Sequence, residues 1–186
     1  MSTSTPVLVD TSRSRSARLR PVPLNAVTLT DDFWTPRRQL NHEVTLPSQY
    51  RFLEETGRLD NLRRAGGLKT GIPFQGRYYD DSDVYKWLEA VACTLATEPA
   101  ADLAGMAAEA IAAIAAAQQP DGYLNSYFAL ERSGERWTNL RDQHELYCAG
   151  HLIQAAVAHH RATGSTILLD IARRLADHIA TVFGPA

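Results

Sequence analysis

W-T-N-L-R-D-Q-H-E-L-Y-C-A-G-H-L-I-Q-A-A-V-A-H-H-R-A-T-G, residues 137–164, is the stretch on which the reading of this chain turns. It predicts one helix over about 142–162, with Asp142 capping the first turn and Gly164 stopping the last. At 100° per residue, Leu146, Ala149, Ile153, Ala156, Val157 and His160 share one face. His144, Cys148, His151 and Ala155 fall opposite. Glu145 carries the only full charge between Gln143 and His160, whereas a solvated face normally carries several. The helix is therefore expected to be buried on both sides. One side packs on protein, and the other presents imidazoles and a thiol to a polar cavity.

The flanking segments read as more helices. Pro36 opens a helical pattern running to Thr56, marked by Leu40, Val44, Tyr50 and Leu53, with a break or kink at Pro47. This places Ser48 and Gln49 in the first turn of a second piece. Residues 58–81 are glycine-rich and read as a long functional loop. Val84, Leu88, Val91 and Leu95 mark a helix over about 82–96, with Asp81 or Ser82 as its cap. Residues 100–117 contain eleven alanines and suit close helix approach. Q-Q-P-D-G-Y-L-N, 118–125, is a sharp turn, and a last helix from Ser165 puts Leu168, Ala172, Leu175, Ile179 and Val182 inward before Gly184 and Pro185. Buried helices thus alternate with one-sided ones, the pattern of helical hairpins packed side by side. A closed ring of six such hairpins takes roughly 240 residues. About five helices are not enough to close it, so the expected fold class is all-α, a partial (α/α)6 barrel over 26–186 behind a disordered tail at 1–25.

Composition narrows the function. With 186 residues, 45% of them hydrophobic, and a formal charge of -2, the chain can bury a core and offers no basic surface for nucleic acid or acidic membrane. The basic run R-S-R-S-A-R-L-R at 13–20 lacks interleaved aromatics and reads as a solvated tail. No stretch has the length of a membrane span, and Cys93 and Cys148 read as reduced thiols, so a cytoplasmic location is the default.

His144, Cys148 and His151 invite a zinc reading, but the metalloprotease pattern requires histidine where Cys148 stands, and a fourth ligand is lacking. A hydrogen-bonding wall is the better reading. No G-x-S-x-G supports a serine hydrolase. Asp80, Asp81, Asp83 and Glu145 are the carboxylates available for glycosidic chemistry. Asp81 and Asp83 serve equally well as helix caps, and Glu145 is expected to pair with Arg141 or another basic group.

Five ordered motifs carry a resemblance: V-T-L-T-D-D-F-W (27–34), L-P-S-Q-Y (46–50), D-S-D-V-Y-K-W-L-E-A (81–90), Q-Q-P-D-G-Y-L-N-S-Y-F (118–128) and W-T-N-L-R-D-Q-H-E-L-Y-C-A-G-H-L (137–152). Together they resemble glycoside hydrolase family 127, the beta-L-arabinofuranosidases, from about residue 24 onward. The resemblance implies an (α/α)6 barrel whose inner helices line a sugar pocket, followed by β-rich domains. It also implies retaining hydrolysis of terminal beta-L-arabinofuranosides by a cysteine nucleophile at a zinc site of one glutamate and three cysteines. Those ligands belong to a later part of the family's sequence, and neither Cys93 nor Cys148 stands in that motif. Zinc is thus expected in a full-length relative and no cofactor in this chain. His144 matches a pocket histidine of the family and Gln49 a polar residue at the arabinose site. Asp83 is added from its place at the start of an inner helix.

The chain is accordingly expected to be a truncated front part of the barrel that binds an arabinofuranoside-containing oligosaccharide without the nucleophile. Self-association or pairing with the missing C-terminal half would cover its open edge. The alternative is a non-catalytic helical scaffold that binds a protein partner.

Overall fold

The computed structural model describes residues 9–184, none of which lies in a strand. Eight α-helices follow in order: α1 (Trp34–Leu40), α2 (Leu46–Glu55), α3 (Arg58–Ala65), α4 (Asp81–Leu95), α5 (Ala101–Ala117), α6 (Leu140–Gln143), α7 (Glu145–Thr163) and α8 (Ile167–Phe183). Six of them pair as three antiparallel hairpins, α2 with α3, α4 with α5, and α7 with α8. Among the inner helices α4 lies between α2 and α7, and among the outer ones α5 lies between α3 and α8. The result is an arc of a two-layered α/α barrel, as the alternation of the sequence predicts.

The core lies between the layers. Val84, Leu88 and Val91 of α4, Leu103, Ala110 and Ile114 of α5, Leu152 and Ala156 of α7, and Leu168 and Leu175 of α8 are all buried. Alanines at 107, 110, 113 and 117 turn inward along α5, so its backbone can lie close to its neighbours. Polar pegs fix α2 to its neighbours in both layers. Trp87 donates its indole N–H to the Leu46 carbonyl at 2.9 Å, and Tyr50 donates its hydroxyl to Glu109 at 2.7 Å.

Three expectations need correction. First, the run 58–81 is not all loop, because its first eight residues form α3. Gly57 adopts φ 76° and ends α2. Leu59 and Leu62, three apart, then give the new helix its buried stripe, and Asp60 and Arg63/Arg64 suit its dipole. The loop that follows is pinned by Asn61, which accepts from the Gln75 N–H and donates to the Gln75 carbonyl. Second, Pro47 does not break the chain. The five residues Asn41–Thr45 form a π-helical turn in which the Leu46 N–H reaches back to the Asn41 carbonyl, and this widened turn accommodates a ring with no N–H to donate. Third, residues 142–162 are not one helix. Asn139, not Asp142, caps the short α6 by accepting from the Asp142 N–H at 3.1 Å, and the helix stops at His144, whose φ is 57°.

Of the expected tail, residues 1–8 lie outside the described residues, as does Pro185. Residues 9–21 are almost entirely exposed, and Val22, Pro23, Leu24, Val27 and Leu29 run along α4. No helix among the described residues is long and apolar enough to cross a membrane.

The turn at 118–125 brings Gly122 (φ 88°) against α8, where an added Cβ would stand 2.4 Å from the Arg174 carbonyl oxygen. Gly122→Ala must both strain the backbone and push α8 away. We expect it to destabilise the fold by at least about 2 kcal/mol, read as a lowered thermal midpoint. An unchanged midpoint would mean that the turn does not bear on α8.

Candidate functional site

The concave face of the arc holds two adjoining hollows. A cleft of about 510 Å³ is lined by Gln49 and Phe52 of α2, Arg58 of α3, and Asp83, Lys86 and Trp87 of α4, among others. A recess of about 330 Å³ is lined by Tyr79, Ser82, Asp83, Lys86, His144 and Tyr147. Asp83 and Lys86, one turn apart on α4, are the wall common to both. All three sequence-predicted site residues therefore lie on one face, with Gln49 at one end, Asp83 in the middle and His144 at the other.

His144 owes its position to backbone geometry. In the left-handed region it turns the chain between α6 and α7, and its ring meets Tyr79 edge-on at 5.1 Å and Tyr147 at 5.9 Å. Tyr147 stacks edge-on with His151 at 4.5 Å, and the Lys86 ammonium lies 4.8 Å above the Tyr147 ring. Asp83 is held by Arg58 Nε at 3.6 Å, and the same guanidinium reaches the buried Asp80 at 2.9 Å.

The expected stripe of His144, Cys148 and His151 does not exist as such. Because His144 is not helical, the wheel anchored on it is displaced; His144 and Tyr147 line the recess, and His151 stacks behind Tyr147. Cys148 is buried against α4, with its Sγ 3.4 Å from the Tyr79 carbonyl. Burial and the neighbouring Asp81 push its thiol far above the usual range, the reverse of an activated nucleophile. Nor is α7 buried on both sides, since Leu146, Tyr147 and Ile153 are exposed. His151 is kept easier to deprotonate than usual, first by partial burial and then by Lys86.

The remaining carboxylates are structural. Asp81 caps nothing. It is buried and accepts from both the backbone N–H (2.7 Å) and the hydroxyl of Ser126, tying α4 to the loop after α5. Glu145 does not pair with Arg141, which holds Asp142 instead. Its two oxygens accept from the Tyr123 hydroxyl and the Trp137 N–H, with Arg136 contributing favourable charge. Burial raises its proton affinity above the ordinary carboxylate value.

Sequence reasoning missed Lys86, Tyr147, Tyr79 and Arg58. The first two were discoverable, since each stands three residues after a chosen one, Asp83 or His144. Tyr79 and Arg58 arrive through tertiary packing and leave no local signal.

The family model "Beta-L-arabinofuranosidase, GH127 catalytic domain" matches residues 26–186. The chain belongs to this glycoside hydrolase family. It is 34% identical over 183 residues to a non-reducing end beta-L-arabinofuranosidase of Bifidobacterium longum subsp. longum, an alignment covering 86% of this chain and 28% of that protein. The crystal structure of a GH127 beta-L-arabinofuranosidase from Geobacillus stearothermophilus T6 superposes with a TM-score of 0.82 at 46% identity, over 86% of this chain and 26% of that one. A second solved GH127 beta-arabinofuranosidase gives 0.79 at 38% identity, over 87% and 27%. The chain thus spans little more than a quarter of the length of the relatives it matches. None of these matches favours a non-catalytic scaffold.

Asp81 makes a pH prediction. Its burial, reinforced by Asp80 and Asp83, pushes its pKa up to about 6 despite the Ser126 bonds. The folded state therefore binds this proton more tightly than the unfolded chain. The stability it contributes is present below the unfolded value near 4 and is lost as pH rises through 6, by about 3 kcal/mol in all. Asp81→Asn can keep both contacts to Ser126, so its stability should fall less between about pH 4 and 7 than the parent's. Parallel stability profiles in urea melts would refute this.

Proposed function

We propose that this chain forms the sugar-binding wall of a beta-L-arabinofuranosidase and holds the terminal furanose of an arabinofuranoside-containing oligosaccharide. The observation that carries the reading is the single concave face on which Gln49, Asp83 and His144 stand with Lys86 and Tyr147 between them. A furanose offers a hydroxyl rim and an apolar C–H face. Asp83 can accept from two hydroxyls, the Gln49 amide can donate and accept, and the His144 imidazole can do either. Tyr79 and Tyr147 supply aromatic surface for the C–H groups.

Retaining hydrolysis needs a nucleophile and an acid/base flanking the anomeric carbon. Glu145 and Asp81 are committed to internal bonds, and the Cys148 thiol is sealed against Tyr79. The zinc set implied by the family, one glutamate and three cysteines, does not fit the donors here. Cys93 and Cys148 are the only cysteines, and no three His, Cys, Asp or Glu side chains converge among the described residues. The chain is on this reading the binding part of a larger catalytic apparatus. Ile153 on α7 and Ile167 and Val182 on α8 are exposed apolar residues that pairing with the rest of a barrel, or self-association, would cover.

The binding reading is tested with methyl beta-L-arabinofuranoside, titrated into the protein and followed by NMR. His144→Asn keeps a residue tolerant of positive φ but removes the imidazole. It should weaken binding about tenfold, in line with the loss of a buried polar contact, and leave the thermal midpoint nearly unchanged. A collapsed midpoint with normal affinity would make His144 a framework residue, and no binding by the parent protein would remove the reading altogether.

The catalytic part of the reading predicts that the polypeptide alone neither turns over a chromogenic beta-L-arabinofuranoside nor retains zinc after dialysis. Turnover abolished by Cys148→Ser, or one zinc per chain lost on His151→Ala, would overturn it.

A further inference from the structure

Glu145 is the first residue of α7, where an acidic side chain commonly turns back to the free N–H groups of its own helix. Here it does not. Only 2% of it is exposed, and its two carboxylate oxygens point away from α7, each satisfied once. Oε1 accepts from the Tyr123 hydroxyl at 2.5 Å and Oε2 from the Trp137 backbone N–H at 2.7 Å. The second bond closes the chain on itself across eight residues, and the segment it closes has an unusual backbone. Trp137 (φ 63°) and His144 (φ 57°) are the only non-glycine residues with positive φ among those described, and they bracket α6. Such a φ is uncommon outside glycine and unfavourable for a side chain as bulky as that of Trp137, where it persists only if the surroundings impose it.

The surroundings here are specific. Trp137 donates its indole N–H to His178 Nε2 at 3.2 Å and packs edge-on against Tyr123 and Phe183, at 5.3 and 5.6 Å between ring centres. His178 Nδ1 lies 3.0 Å from the Asp121 carbonyl, which fixes the tautomer with Nδ1 protonated and Nε2 free to accept. Arg136 covers the outer face of Tyr123 at 4.1 Å. A cluster drawn from the turn after α5, the segment before α6, and α8 thus converges on one carboxylate. At the other end of the closed segment stands His144. Were it helical, α6 and α7 would merge into the single run that local sequence favours, and the imidazole would leave its place beside Tyr79.

We infer that Glu145 is a positioning residue, whose carboxylate holds the segment from Trp137 to His144 closed and thereby presents the His144 imidazole to the recess shared with Asp83 and Tyr147. The presentation of His144 stands on geometry alone; its effect on sugar affinity rests on the function proposed above.

The test separates the two. Backbone chemical shifts and couplings of His144, together with its ring resonances, report whether it stays left-handed, and titration with methyl beta-L-arabinofuranoside reports binding. Tyr123→Phe, which removes one arm of the clamp, and Glu145→Ala, which removes both, should move the His144 signals toward helical values and weaken binding about tenfold, the loss expected for a misplaced polar contact. Glu145→Gln can still accept from the Trp137 N–H and can donate its amide to the Tyr123 oxygen, so it should restore both readouts. Gln49→Ala, a lesion at the far end of the face, should weaken binding and leave the His144 signals in place. If Glu145→Ala does not fold, Tyr123→Phe decides. An unchanged left-handed signature in a folded Tyr123→Phe or Glu145→Ala protein would overturn the inference. A signature that collapses as expected, in a protein that never binds the sugar, would uphold the positioning role and defeat the sugar reading.

Discussion

The close packing of α4 on α7 is the contact on which the rest of the arrangement depends. Cys148, Ala149, Leu152, Ala155 and Ala156 are buried along α7, and Cys148 lies near the buried Tyr85 of α4. The mostly small side chains of α7 let the two backbones approach closely. The functional side chains stand on the flank of this seam and not in it. Asp83 and Lys86 leave α4 on the same side as Tyr147 and His151 leave α7. Their mutual placement is therefore set by core packing and needs no ligand to assemble it, the arrangement that gives a binding face its precision.

Loops complete the face, and each is fastened by a buried polar group. Asp81 holds Ser126, Asn61 holds Gln75, and Asp80 holds both the Arg77 N–H and Arg58. Burying such groups is costly unless they are fully bonded, so each one selects the single loop conformation that bonds it. The motif D-S-D at 81–83 shows the division of labour within three residues. Its first aspartate serves the framework, while its second faces the hollows.

How much of this was legible in the chain follows from the range of the forces involved. The stripes of α4, α5 and most of α8 were readable because burial repeats every turn, and Val84, Leu88, Leu103, Ile114, Leu168 and Leu175 sit where periodicity puts them, whereas Val182, expected inward at the end of α8, is exposed. The family motifs likewise placed Gln49 and His144, and the start of an inner helix suggested Asp83; the structure has all three on one face. What local pattern could not show was the break at His144. Residues 140–163 are helix-forming throughout, and the interruption is imposed by Trp137 and Tyr123 pulling on Glu145 from outside the helix. The misassignment of Cys148 to the open face follows from that one error. The short α3 escaped for a different reason, since eight residues between glycines carry too few turns for a stripe to stand out.

The π-helical turn at Asn41–Thr45 has a consequence for Gln49. An α-helix advances 100° per residue, so one residue inserted into a continuous helix offsets the angular phase of everything after it by about that amount. The helical run from Trp34 to Glu55 therefore carries two phases along one axis, split at the wide turn. The first phase presents Arg38 and His42 toward Glu98 at the end of α4, while the second turns Leu46, Tyr50 and Leu53 into the core with Gln49 beside them on the concave face. A strictly α-helical version of the same run could satisfy one set of neighbours or the other, but not both. The proline that looks like a helix breaker in the sequence thus marks the place where a single helix changes the side it shows to the rest of the molecule.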